Sequence, residues 1–164
     1  LGYTKVIEYV SATVVKEHAH RAIRTRLLSQ AALRPDAAFI EGLTAVIEDQ
    51  RVFQKDSEAI RLTIENCCDA PQLGPKAPDH LSQLKKITDK SKGDEKKEAL
   101  KKLAECVSAT RNQIVHAKTN FTPKGHECPE TQLGALRDCL RLAADQAIRW
   151  FANVPESFRV LKSG

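Results

Sequence analysis

An arginine, a carboxamide directly after it and a histidine five places on occur together at Arg111, Asn112 and His116, in the string RNQIVH. An imidazole titrates near neutrality and can take the proton of a ribose 2′-hydroxyl or give one to a leaving 5′-oxygen. A guanidinium binds phosphate through parallel N–H groups and offsets the charge that builds up on a pentacoordinate phosphorus. The amide beside them can orient the phosphate or fix the imidazole tautomer. As a set, these groups suit RNA cleavage by transesterification with no metal. The plainer alternative is a solvated Arg111 and a His116 that is simply a favourable cation at a helix C-terminus.

For either role the residues must sit on a helix. At about 100° per residue, Asn112 and His116 share a helix face, while Arg111 lies about 140° around from His116. The two reactive groups converge if the helix loosens just after His116, or if two copies of this helix meet across a dimer axis.

The elements that carry the motif follow from apolar periodicity. Val6, Val10 and Val14, widened by Ile7, Ile23, Leu27 and Leu28, predict one long helix over residues 2–31, stopped by Arg34-Pro35. Asp36 is an N-cap for a second helix whose apolar face is Phe39, Ile40, Leu43, Val46 and Ile47. The register shifts near Lys55-Asp56-Ser57. Ile60, Ile64 and Cys67 then continue as a separate helix or as the kinked end of the second. Prolines and Gly74 mark residues 69–77 as a loop, and Pro78 opens a short helix with Leu81, Leu84 and Ile87 inward. After the connector DKSKGD, Asp94 or Glu95 starts the motif helix, with Leu100, Leu103, Val107 and Ile114 at helical spacing. A second loop holds Pro123, Gly125 and Pro129. The last helix covers about residues 131–152, with Leu133, Leu136, Leu140, Ala143, Ala147 and Phe151 on one face. No strand signal and no internal repeat is present. The expected architecture is all-α, a single domain formed by a bundle of five or six helices.

With 164 residues, 41% of them apolar, the chain can bury a core of its own. The net charge of +5 is compatible with an anionic partner such as nucleic acid. No run approaches the roughly 18 consecutive apolar residues of a membrane span. Lys5 and Glu8 lie inside a helical pattern where a signal peptide would be apolar. A first residue of Leu and the absence of Met point to a piece of a longer polypeptide. Cys67, Cys68, Cys106, Cys128 and Cys139, odd in number and irregular in spacing, are expected to be reduced thiols in a cytoplasmic protein.

RNQIVHA resembles the R-(polar)-x3-H motif of HEPN domains, and LAECVSATRNQIVHA is similar to their motif helix. A long first helix such as YTKVIEYVSATVV and a final helix after a Pro/Gly loop also fit that family's layout. The resemblance implies a HEPN-like bundle and a metal-independent endoribonuclease with Arg111, Asn112 and His116 as site residues, completed across a homodimer. It also implies a place in a larger prokaryotic anti-phage or abortive-infection protein, as a toxin or defence effector with a sensor domain or an antitoxin partner. No cofactor is implied. Some members of the family keep the fold without cleavage and serve as interaction or nucleotide-binding modules.

Lys101, Lys102 and Lys118 are the candidate contacts to RNA phosphates near the motif. Residues 85–102 hold eight Lys against four Asp or Glu, which fits an electrostatic guide for RNA or, more plainly, a solvated connector and helix face. His18 and His20, two apart on a helix, point about 200° from one another and so fit a surface better than a metal site. His126, Glu127 or Cys128 with Cys139 can supply three zinc ligands but lack a CxxC pair; the alternative is that this loop lines the cleft near His116. Trp150 and Phe151 are expected to seat the last helix.

Overall fold

Asp36 fixes the first clear boundary of the fold. Its Oδ1 accepts a hydrogen bond of 2.8 Å from the backbone N–H of Phe39, the N-cap interaction expected of an Asp before an apolar helix. The structure, a computed structural model, describes residues 2–116, 122 and 125–161, and for His116 the backbone alone. Among the described residues there are seven α-helices, joined in part by 3-10 turns, and no strand. They are α1 (Gly2–Leu27), α2 (Ala37–Asp49), α3 (Asp56–Cys67), α4 (Ala70–Leu73), α5 (Ser82–Lys85), α6 (Gly93–His116) and α7 (Leu133–Asn153).

Five of these are long. The two four-residue helices fall in the proline-rich middle of the chain, so the count exceeds the expected five or six. Pro71 sits in the first turn of α4, where a missing N–H costs nothing, and the stretch expected to be loop is therefore helical. Gly74 follows because a Cβ there would meet the carbonyl oxygen of Leu84 at 2.9 Å.

α1 packs on α3 and α7, and α3 packs on α6. The main core gathers Ile7, Ile60, Ile64, Leu73, Leu84, Leu103, Val107, Leu136 and Cys139, all essentially removed from water. A second cluster joins Val10, Val14, Leu62 and Ala147, with Trp150 and Phe151 packed against it from α7. These two aromatics thus do seat the last helix.

α1 ends at Leu27, well before Pro35. Leu28 is 74% exposed, so no tertiary contact rewards extending the helix. The Ser29 hydroxyl also donates to the Arg26 carbonyl at 2.7 Å, which competes with the helical ladder. α2 departs further from expectation. Only Phe39 of its apolar face is buried, and Ile40 and Ile47 are each 52% exposed. α3 is a separate helix, divided from α2 by the 3-10 turn Gln50–Gln54. No described helix is long and apolar enough to cross a membrane.

Candidate functional site

α6 opens with Asp94 and Glu95 in its first turn, where carboxylates complement the helix dipole, and Glu95 Oε2 accepts from the Lys92 amide at 3.0 Å. Its buried stripe runs through Ala99, Leu103, Cys106 and Val107 and ends at Thr110. Beyond Thr110 the helix overhangs the core: Ile114, expected on the inward face, is 46% exposed, and Val115 is 60% exposed. The motif therefore occupies a solvent-exposed end of a helix whose middle, residues 99–110, is fixed by the core.

Arg111 lies where α1, α3 and α6 meet. Its Nε is 3.2 Å from Glu8 Oε1, and one terminal nitrogen is 3.7 Å from Asp56 Oδ2. The first contact is close enough for an ion pair but lacks hydrogen-bond alignment, so the buried Glu8 Oε1 has no donor. The second is loose, since Asp56 is 77% exposed. The guanidinium is thus anchored from below by a half-buried carboxylate and screened from above by one that water can replace.

Asn112 is exposed and lines a groove of about 640 Å³ between α3 and α6. Arg61, Lys101, Ser108 and His126 line it with Asn112. A second hollow of about 440 Å³ lies beside it, shares Ser57, Ser108 and Asn112, and adds Asp56 and Arg111. Arg111 and Asn112 are thereby joined to one continuous polar surface. Arg61 is held between Glu58 at 2.8 Å and Glu65 at 2.9 Å. Lys101 is only loosely tied, 3.8 Å from Glu98. Lys102 is exposed but stands about 100° further round the helix, off this stripe. The Ser108 hydroxyl is buried and has no hydrogen-bond partner.

His116 is the last residue of α6, and its side chain lies outside the described residues, as does Lys118 altogether. α6 stays α-helical from Arg111 to His116, so along the backbone the two are about 7.5 Å apart in rise and about 140° apart in direction.

The loop after α6 returns beside the motif. The Cys128 amide donates to Thr110 Oγ1 at 2.8 Å, one residue before Arg111. Gly125, at φ +82°, makes a turn that non-glycine residues rarely adopt, and its amide donates to Glu127 Oε2 at 2.8 Å. This turn presents His126, exposed, to the groove. Of this loop, His126 lines the α3/α6 groove, while the cleft beside the His116 side chain lies outside the described residues. His126 faces the groove whereas Cys128 and Cys139 are buried in the core. Among the described residues no group of three or more His, Cys, Asp or Glu is placed to hold a metal ion.

All five cysteines are unpaired. Burial pushes the Cys67, Cys106 and Cys139 thiols up to about 12, and raises those of Cys68 and Cys128 as well. They are core groups with little thiolate to offer as nucleophiles. His18 stacks edge-on against Phe53 and shares a 3.0 Å hydrogen bond with Gln50, whereas His20 meets Phe158. His18 is accordingly packed between elements, which the expectation of a solvated surface did not foresee.

Glu8 and Asp56 are the site residues that sequence reasoning missed. Glu8 carried a usable signal, being a carboxylate beside the buried positions Thr4, Ile7 and Ser11 of α1. An acid on an inward face requires a cation from a neighbouring element. Comparison with family models, curated proteins and solved structures gives no match for this chain.

Proposed function

We propose that the protein is a metal-independent endoribonuclease that cleaves RNA by transesterification at the exposed end of α6. The observation that carries this reading is the string RNQIVH at that position, with Arg111 anchored by Glu8 and Asn112 open to a polar groove. Arg111 and Asn112 bind the scissile phosphate. Nη atoms of the guanidinium meet it once Asp56 is displaced, because the shortest contact of Glu8 is to Nε. His116 takes the proton of the 2′-hydroxyl. The 2′-oxygen bonds to phosphorus, the bond to the 5′-oxygen breaks, and the products are a 2′,3′-cyclic phosphate and a 5′-hydroxyl. The separation of Arg111 and His116 around one helix favours a homodimer in which each copy completes the other's site. Lys101 attracts the RNA backbone at the groove, and Lys102 and Lys118 add to the basic charge around it. The resemblance to HEPN domains supports a cytoplasmic toxin or anti-phage effector, governed by a sensor domain or an antitoxin.

The test is cleavage of total RNA in EDTA by wild type and by His116→Ala. Cutting by the wild type with cyclic-phosphate ends, abolished in a variant that melts normally, supports the assignment. Undiminished cutting by the variant removes it.

A second reading is a non-catalytic module that binds a partner protein or a nucleotide. It is favoured by the ion contacts that already engage the Arg111 guanidinium. Absence of products from purified dimer between roughly pH 6 and 9 selects this reading.

A further inference from the structure

Transesterification needs two proton transfers: one away from the 2′-hydroxyl and one onto the departing 5′-oxygen, which leaves poorly as an alkoxide. The proposed site supplies one imidazole, His116, and this inference rests on that reading. The α3/α6 groove contains another. We infer that His126 is a catalytic residue of the same reaction, the general acid that protonates the leaving 5′-oxygen.

Several independent features bring His126 to the groove. Thr110 Oγ1 holds the loop's return through the Cys128 amide, so the segment after Gly125 is fixed to the turn of α6 that carries Arg111 and Asn112. The positive φ of Gly125 turns the chain so that His126 lines the groove together with Asn112. The imidazole is exposed, so solvent can reprotonate it after each turnover. Its charged neighbours across the groove are Glu58 and Arg61 of α3, and Lys101 and Glu105 of α6, with Glu127 next to it in the loop. The buried, unpartnered hydroxyl of Ser108 lies under the same groove.

In the step, the 2′-oxygen forms its bond to phosphorus and gives its proton to His116. The P–O5′ bond breaks with its electron pair on O5′, which takes the proton from the His126 imidazolium. Water then takes the proton from the His116 imidazolium and returns one to neutral His126, which restores both groups. Arg111 and Asn112 hold the non-bridging oxygens throughout.

The experiment compares wild type and His126→Gln on RNA and on ribonucleoside 3′-(4-nitrophenyl) phosphates, whose aryl oxide leaves without a proton. The expected result is a loss of about 10²- to 10⁴-fold in kcat on RNA, with loss on the aryl esters under about tenfold and an unchanged thermal melt. Full activity on RNA, or an equal loss on both substrates, overturns the role of His126 while leaving the ribonuclease reading intact. A wild type inert on both substrates overturns that reading and the inference together.

Discussion

Arg111 and Glu8 stand 3.2 Å apart, yet Glu8 Oε1 is buried without a hydrogen-bond donor. The guanidinium is therefore the charge that compensates a carboxylate only 25% exposed, besides being a candidate phosphate ligand. Arg111→Ala is expected to lower stability by about 1 kcal/mol, a fall of about 2–4 °C in Tm for a chain of this size. Adding Glu8→Gln should recover most of that loss, because the carboxylate left uncompensated is gone. Thermal melts of the two singles and the double close the cycle; additive losses would show that the pair is not coupled. Arg111→Lys is the cleaner probe of catalysis, since it keeps the charge and loses the planar fork.

Asp56 faces the same guanidinium from outside, at 3.7 Å and well exposed. A phosphate entering beside Arg111 must displace it. Asp56→Asn is expected to lower KM for RNA by about 2- to 5-fold at low ionic strength, in keeping with an exposed ion contact. The difference should shrink as salt is raised toward 1 M. An unchanged or increased KM would argue that RNA does not approach from this side.

Thr110→Val removes the hydroxyl that accepts from the Cys128 amide and keeps the side-chain shape. A loss of about 1–1.5 kcal/mol in the urea transition is expected for one buried hydrogen bond. Because the same bond holds the loop bearing His126, kcat on RNA should fall as well, even at temperatures where the variant is fully folded. A stability loss with kcat unaffected would separate the loop from the chemistry.

The buried cysteines make stability depend on pH in the alkaline range. Cys67, Cys106 and Cys139 are pushed up to about 12 by burial, against 9.0 for a free thiol. Between these values the unfolded chain has released protons that the folded chain retains. Their contribution to stability is thus present in full below about pH 9 and is lost as pH rises toward 12. The urea midpoint should decline above pH 9, and less steeply once the three are replaced by Ala. Equal slopes would sink the attribution to thiols.

Local chemistry explains which parts of the fold were legible. Asp36 announces a helix start because a cap is made within four residues, and the structure has it. Leu81, Leu84 and Ile87 are buried as their spacing implies. α1 ends earlier than its periodicity implies because Leu27 and Leu28 extend an apolar stripe for which the fold provides no opposing surface. The face of α2 departs from expectation for the same reason, since periodicity reports that a face is apolar and not what covers it. The stretch of α4 reads as loop because Pro71 breaks a helix interior, yet proline suits a first turn. At the site, RNQIVH was visible as a string. The partners Glu8 and Asp56, over 50 positions away in the chain, were not, because only packing of α1 and α3 on α6 brings them to Arg111.

The Thr110 hydroxyl joins two points of the chain 18 residues apart, with Arg111 one residue after the first and His126 two residues before the second. The entropic cost of closing such a loop grows only with the logarithm of its length. Bringing Cys128 back to the turn that carries Arg111 therefore costs only about 0.6 kcal/mol more than closing a loop half as long, a difference that one buried hydrogen bond offsets.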